Sequence, residues 1–412
     1  MSLDHQLNYI TYTLSNGIRL IHKEVDSPVS HIGLIVNAGS RNELLHEHGL
    51  AHYIEHAMFK GTHKRKSFQI ISRLEDVGGE LNAYTTKEET CVHASFLNDD
   101  YERAIELIGD IFFNASFPEK EIEKEKDIII DEINSYKDNP SELIFDDFEH
   151  MIFPDVALGR PILGTPETVN SFSPKHILDY KLRNYNTSQI VLSSVGNIKF
   201  DKLLKLFKKY YEPIQLRSHQ QECEQNIVYC SNNKNIDYDT YQSHCIIGNV
   251  AYNLHDERRL SLFLLNNILG GPGMNSRLNM SLREKNGFTY NIESNYNPYA
   301  DTGVFTVYFG TDKEKIEKSI QLAHVEFKKL RDSKLGSIQL SKAKKQLIGQ
   351  LAISSENNEA FMLNMGKSFL NFGKVESLLE IYQQIEAINS SQLLDIANEI
   401  LDPKKLSTLI YK

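Results

Sequence analysis

Residues 48–61 read HGLAHYIEHAMFKG, and residues 258–271 read RRLSLFLLNNILGG. The second stretch begins 210 positions after the first and shares its helical pattern of apolar residues. A further pair, residues 93–112 and 305–327, has in each copy an apolar strand pattern, an Asp-containing turn and an amphipathic helix pattern. Self-similarity at a fixed distance indicates that one fold of about 200 residues occurs twice.

Each copy has the same order of predicted elements, with strand patterns followed by helical patterns. In the first copy, Asn16-Gly17 separates two β-rich segments and is a strong hairpin signal. This order is typical of α+β layering. We therefore predict an α+β protein with two homologous α/β-roll domains in tandem, each an antiparallel sheet with helices packed on one face.

The boundary between the copies falls in a polar stretch. Residues 216–226 read LRSHQQECEQN and have no apolar periodicity, which is typical of a linker. We therefore predict a first domain at residues 1–215, a linker at 216–226 and a second domain at 227–412.

Composition excludes several classes of function. The chain has 412 residues and a net charge of -10, with acidic and basic residues interspersed, so no basic stripe indicates nucleic acid. The 4 cysteines are too sparse for a disulfide framework. No secretory pattern opens the sequence, and no apolar run reaches about 18 residues. We expect a cytoplasmic protein without a membrane span, with a processed precursor as the alternative.

The helical segment around residue 52 carries a metal-binding pattern. His52 and His56 are four residues apart, so a helix places both imidazoles on one face, where they can bind one Zn²⁺. Glu55 borders that face and can reach a water molecule without binding the metal. This is the HxxEH pattern, the mirrored form of HExxH.

Comparison of the copies shows that the fold does not require these polar residues. At the corresponding positions the second copy has Leu262, Leu265 and Asn266. The helix pattern is therefore kept where the potential ligands are replaced. We infer that the polar residues of the first copy have a chemical role.

A catalytic zinc site needs a third protein ligand, and the helical segment 119–137 offers two candidates. Glu125 and Glu132 are seven residues apart and lie on one helical face. Isoleucines bury one side of the same segment, so a carboxylate at its inner edge would be partly desolvated. Spacing alone leaves both carboxylates open as ligands.

These motifs together resemble the pitrilysin (M16) family of zinc peptidases, the inverzincins, in the short two-domain form related to mitochondrial processing peptidase. The family pattern is HxxEH, a Glu about 76 positions after the second His and another Glu seven positions earlier, which here are Glu132 and Glu125. FKGT at residues 59–62 and GGELNAYT at residues 78–85 also match the family. The resemblance covers nearly the whole chain.

The resemblance implies roles for the first copy. It implies one Zn²⁺ per chain held by His52, His56 and Glu132, with Glu55 as general base. Glu125 would support a ligand or the base. Asn82 and Ala83 would lie on a strand that pairs with the substrate backbone. Without the resemblance, Glu125 and Glu132 could also be charges on a solvated helix face. Asn82 could likewise be a residue that only stabilises a turn.

In the second copy, the resemblance implies that Arg283 and Tyr290 contact the scissile carbonyl and its developing oxyanion. The Gly-rich turn at 270–273 resembles the glycine loop of the family, here shorter and interrupted by proline. Glu142 and Asp146 correspond to acidic residues that recognise arginine near the cleavage site in processing peptidases. A solvated acidic helix face is the alternative for this pair.

The implied activity is a metalloendopeptidase that hydrolyses internal bonds of oligopeptides or unfolded polypeptides. The implied assembly is a homodimer in which the second copy of one chain completes the zinc site of the other. One alternative is a non-catalytic scaffold or partner subunit, although this chain retains every metal-binding residue of the pattern. Another is an active subunit of a heterodimeric processing peptidase.

Overall fold

The fold is known from a computed structural model, which describes residues 9–218 and 227–412. The first half contains β1 Tyr9–Thr13, β2 Arg19–Glu24, β3 Val29–Val36, α1 Leu50–Met58, α2 Ser67–Glu75, β4 Glu80–Thr85, β5 Thr90–Leu97, α3 Tyr101–Asn114, α4 Glu119–Lys137, α5 Pro140–Ile152, α6 Pro166–Ser171, α7 Pro174–Asn184, β6 Ile190–Gly196 and α8 Phe200–Tyr211.

The second half follows with β7 Asn233–Ile236, β8 Gln242–Ala251, α9 Arg259–Gly270, a π-helical turn Asn279–Glu284, β9 Thr289–Pro298, β10 Gly303–Asp312, α10 Ile316–Asp332, α11 Ser337–Ser354, α12 Asn358–Phe372, α13 Leu378–Ala387, α14 Ser390–Ile400 and β11 Ser407–Tyr411.

The two sheets have the same central strand order. The first runs β1-β2-β6-β3-β5-β4 and the second β7-β11-β8-β10-β9. In both, the last strand of the copy, β6 or β11, pairs antiparallel with β3 or β8. The next two strands along the sheet are β5 and then β4 in the first, and β10 and then β9 in the second. The parallel pairs are β2 with β6 and β7 with β11. The described residues therefore confirm the α+β class and the two antiparallel-rich sheets.

Contacts divide the chain into two compact units that are not contiguous halves. Among the described residues, unit 1 comprises 9–134, 160–218 and 352–378, and unit 2 comprises 135–159, 227–351 and 379–412. Each unit thus takes one helix from the other half of the sequence. The boundaries 1–215, 216–226 and 227–412 stay a prediction for the limits of the repeats, and residues 219–226 of the linker lie outside the described residues.

Each sheet has helices on both faces, which corrects the expectation of a single covered face. In unit 1, α12 packs Met362 and Met365 onto Ile35 and Val191, while the opposite face of the sheet packs on the main core. The reason is visible in β6, in which all seven residues are buried. A strand that is apolar on both sides must be covered on both sides.

Unit 2 has the same arrangement with a helix from the first half. There α5 places Ile144 and Phe148 against Ile246 and Leu409 of the sheet. Gly248 permits this approach, because a Cβ atom at that position would lie 2.7 Å from the Phe148 ring. The two sheets are therefore covered by equivalent helices, α12 and α5, that each come from the other half of the sequence.

None of the helices within residues 9–218 and 227–412 combines the length and apolar composition that a membrane crossing requires.

Candidate metal centre

Helix α1 positions the two histidines. Gly49 precedes it with φ of 93°, a conformation that favours glycine, and Tyr53 fixes the buried face in the core. His52 and His56 share the adjacent face, with ring centroids 4.6 Å apart. The i, i+4 spacing thus gives the pair of imidazoles that the sequence predicted.

The start of α1 is held by a buried carboxylate that the sequence reasoning missed. Glu43 accepts hydrogen bonds from the backbone N–H groups of Gly49, at 3.0 Å, and Ala51, at 2.8 Å. These are N–H groups for which the first turn of a helix has no internal partner. An acidic residue six positions before a helix-starting glycine is the signal that could have indicated this cap.

We expect Glu43→Ala to destabilise the protein by about 2–4 kcal/mol, because it leaves two buried N–H groups unsatisfied and opens a small cavity. Urea unfolding of the metal-free protein measures this as a lower midpoint. Asp179→Ala is the matched control, because its pair with Lys175 is exposed and should contribute less than about 1 kcal/mol. Equal midpoints for the Glu43 variant and the control would contradict the capping role.

Helix α4 contributes the carboxylates. Ile122 and Ile129 are fully buried in the core of unit 1 and fix the inner side of the helix. The Tyr53 hydroxyl donates a hydrogen bond to the Ile122 carbonyl, which links α1 to α4. Glu125 and Glu132, two turns apart, therefore face the histidines.

Three potential ligand atoms converge. Oε2 of Glu132 lies 3.7 Å from Nε2 of His52 and 3.7 Å from Nε2 of His56. Each of the three residues offers an atom within 4.8 Å of the others. These separations exceed hydrogen-bond length, and are close to the ~3.4 Å between ligands of a tetrahedral zinc ion. The residues present therefore fit a zinc ion.

The protonation of His52 suits metal binding. Burial, and then the neighbouring His56, lower its pKa to about 3, so its imidazole is neutral near pH 7. Neutral imidazole is the form that binds metals. Burial alone would lower the pKa of His56 as well, but its hydrogen bond with Glu125 and the nearby carboxylates raise that pKa.

Glu125 lies behind His56. Its Oε1 is 2.9 Å from Nδ1 of His56, so this ring nitrogen is occupied and Nε2 is left on the side of Glu132. Its Oε2 is 2.6 Å from Nζ of Lys60. The side chain is only 3% exposed; burial favours the neutral carboxyl group, but these donors hold the pKa of Glu125 below its usual value. A carboxylate on the second ring nitrogen of a ligand histidine is the usual support for zinc.

Lys60 is the second residue that sequence reasoning missed. It lies within FKGT at residues 59–62, and its position four residues after His56 is the signal that could have indicated it. Helix α1 ends at Met58, and the Lys60 N–H donates to the Ala57 carbonyl, which keeps Lys60 close to the end of the helix.

Glu55 lies on α1 between the histidines and is partly buried. Burial raises its pKa, and the negative charge of Glu132 acts in the same direction, while His56 opposes them. A raised pKa makes a carboxylate more basic, and a more basic carboxylate is better suited to accept a proton from water.

The predicted substrate strand is at a sheet edge. Strand β4 pairs with β5 and ends the sheet order of unit 1, and helix α1 packs against it. Asn82 is exposed and Ala83 is partly buried on this strand. An edge strand beside the helix that carries His52 and His56 is the arrangement that pairing with an extended peptide would require.

In unit 2, Arg283 and Tyr290 line one cavity of about 370 Å³. Arg283 lies on the π-helical turn, a feature common at functional sites. Tyr290 is the second residue of the edge strand β9 and is 87% exposed. Asn266, at the position corresponding to His56, lines the same cavity, and Leu262 and Leu265 are buried in the core.

Glu142 and Asp146 lie on α5 and belong to unit 2, whereas His52, His56 and Glu132 belong to unit 1. Glu142 is exposed and Asp146 is partly buried. Burial is the main cause that raises the pKa of the neighbouring Tyr136 hydroxyl, and the negative charges of Asp146 and Glu142 raise it further. The basic-substrate preference assigned to this pair stays a prediction.

Comparison with known proteins gives two family matches along the chain. Residues 19–166 match the family described as Insulinase (Peptidase family M16). Residues 171–347 match the Peptidase M16 inactive domain. The first match includes His52, His56 and Glu132, and the second includes Arg283 and Tyr290.

Curated relatives extend over nearly the whole chain. The sequence of an uncharacterized zinc protease of Rickettsia felis is 32% identical to this chain, over 98% of this chain and 97% of the length of the relative. The uncharacterized zinc protease YmxG of Bacillus subtilis is 31% identical over 94% of this chain and 95% of its own. A structure of a peptidase M16 inactive domain from Pseudomonas fluorescens, 19% identical, superposes with a TM-score of 0.91 over 98% of both chains, and shows the shared fold. By sequence over almost its full length, this chain belongs to peptidase family M16.

Proposed function

We propose that the chain is a zinc-dependent endopeptidase that hydrolyses internal bonds of oligopeptides or unfolded polypeptides. The observation that carries this proposal is the convergence of His52, His56 and Glu132 at separations that fit one zinc ion. Family membership and the names of the relatives support a metallopeptidase. One zinc ion per chain is part of the proposal.

Each residue of the proposed site has its own role in the reaction. When bound, zinc polarises the scissile carbonyl and favours deprotonation of the attacking water. Glu55 accepts the proton of that water and delivers it to the leaving amine. Glu125 keeps the ring of His56 oriented. The edge of β4 at Asn82 and Ala83 pairs with the extended substrate backbone and aligns the bond to be cut.

Metal analysis combined with cleavage of a quenched fluorescent peptide tests the proposal. The purified protein should contain about one zinc per chain and cleave the peptide internally. Removal of the metal with a chelator should abolish cleavage, and added zinc should restore it. A protein with neither zinc nor cleavage would instead be the non-catalytic scaffold of the alternative.

The second half of the proposed site is Arg283 with Tyr290, which donate hydrogen bonds to the oxyanion of the tetrahedral intermediate. We propose that the chain forms a homodimer and that these donors reach the zinc half of the partner. The chamber formed in this way would admit unfolded chains and short peptides.

The acidic residues Glu142 and Asp146 would favour basic substrates. The proposed location of the protein is the cytoplasm.

Mixing two inactive variants tests completion in trans. Glu55→Gln lacks the base and Arg283→Met lacks a donor. In a mixed dimer, one site combines the intact Glu55 with the intact Arg283. Equal mixing should therefore restore about a quarter of wild-type activity. No recovery, with dimers shown to exchange subunits, would exclude completion between chains. Inactivity of the wild type until another chain is added would favour the heterodimer.

We expect Arg283→Met and Tyr290→Phe each to lower kcat about 100-fold, because each removes one donor to the developing charge. KM should change less, since the charge appears only in the transition state. Lys285→Met and Tyr241→Phe are matched controls, because both residues are exposed in unit 2 and lie outside the cavity. Steady-state kinetics with the same peptide measure the effects. A rise in KM with unchanged kcat would limit both residues to substrate binding.

A further inference from the structure

The carboxylate of Glu125 has one positioned donor on each oxygen. Nδ1 of His56 lies 2.9 Å from Oε1, and Nζ of Lys60 lies 2.6 Å from Oε2. The carboxylate is 3% exposed, so water contributes little to its solvation. An ionised group at this depth needs both partners.

The second donor has a mechanical consequence. With one partner, a carboxylate can rotate about its Cγ–Cδ bond and keep that hydrogen bond while its plane changes. With both oxygens bound, its plane is fixed and Oε1 is directed at Nδ1. The imidazole plane of His56 is then fixed too, and with it the direction of Nε2 towards Glu132.

His56 has more need of this support than His52. Its side chain is 26% exposed, against 10% for His52, so packing restrains it less. Lys60 is itself restrained, because its backbone N–H is bonded to the Ala57 carbonyl at the end of α1. Its positive charge is also favourable beside the C-terminus of that helix.

We propose that Lys60 is a positioning residue that sets the zinc affinity of the site through Glu125 and His56. This inference rests on the proposed function only in taking His56 as a zinc ligand. It adds a residue that supports the site from outside the HxxEH pattern and the two α4 carboxylates.

The test compares zinc dissociation constants, measured by competition with a chelator of known affinity. Lys60→Met should weaken zinc binding about 10-fold, the lower end of the range for residues that support metal ligands. Lys60→Arg keeps the charge and should recover most of the affinity. Lys124→Met is the matched control, because Lys124 makes an exposed pair with Glu121 on α4 and should leave affinity unchanged. Lys60→Gln replaces the methionine variant if that variant does not fold.

A double-mutant cycle separates positioning from general destabilisation. In a Glu125→Gln background, Lys60→Met should have almost no further effect on zinc affinity, because the residue through which it acts has been altered. An equal loss in both backgrounds, or no loss in the wild-type background, overturns the proposal. Failure of the wild-type protein to bind zinc would instead refute the proposed function, so the two failures are distinguishable.

Discussion

Replacement of Glu55 by glutamine should lower kcat by on the order of 10³–10⁴-fold while zinc stays bound at about one ion per chain. Glutamine has nearly the size of glutamate, so helix α1 and its buried face are unchanged. Its amide cannot accept a proton from water at neutral pH. The loss therefore isolates proton transfer from metal binding.

The expectation depends on the position of Glu55 and on its environment. It is on the helix that carries both histidines, yet it is not among the three converging ligand residues. Burial raises its pKa, which brings the carboxylate closer to the basicity that general-base catalysis at neutral pH requires. Glu75→Gln, an exposed residue at the end of α2, should leave both zinc content and cleavage unchanged.

Zinc content and peptide cleavage must be measured on the same preparations. Cleavage by Glu55→Gln at the wild-type rate would remove this residue as the base. Loss of zinc together with activity would place Glu55 among the ligands or show that the substitution disturbs them.

Glu132→Gln should reduce zinc affinity by more than about 100-fold, beyond the usual effect of altering a supporting residue. The reason is that Oε2 of Glu132 is the atom shared by both 3.7 Å separations. A neutral amide oxygen is a weaker ligand for a divalent cation. Cleavage at limiting zinc should fall in proportion to the lost metal.

The neighbouring carboxylate provides a stringent control. Asp131 is exposed and precedes Glu132 on α4, so Asp131→Asn changes the same net charge one position away. This variant should bind zinc as the wild type does. Equal zinc affinity in the two variants would mean that Glu132 is not a ligand, and the proposed function would lose its main support.

Much of the candidate site follows from short-range rules. The helical spacing of His52 and His56 fixes their shared face, and the same rule places Glu125 and Glu132 together on α4. The rule does not bring α1 and α4 to each other. That step came from the family resemblance, and the structure now describes the contact through Tyr53 and Ile122.

Sequence periodicity does not predict which sheet each of the helices α5 and α12 covers. An apolar face shows that α5 and α12 must be buried, but it does not say against which sheet. Both helices pack on the sheet of the other half of the sequence. The covering of both sheet faces could have been anticipated from the buried run of β6. Lys60 was missed because Glu125, the residue on which it acts, becomes its neighbour only after folding.

The exchange of α5 and α12 constrains the biosynthesis of the protein. Unit 1 contains the proposed zinc ligands His52, His56 and Glu132 in its first segment, yet its last helix is α12, which ends at Phe372. On the ribosome, the sheet face around Ile35 and Val191 stays uncovered until residues 358–372, which form α12, have been translated. The nascent first half therefore exposes an apolar surface until α12 has been made, a state in which chaperones would be expected to engage it.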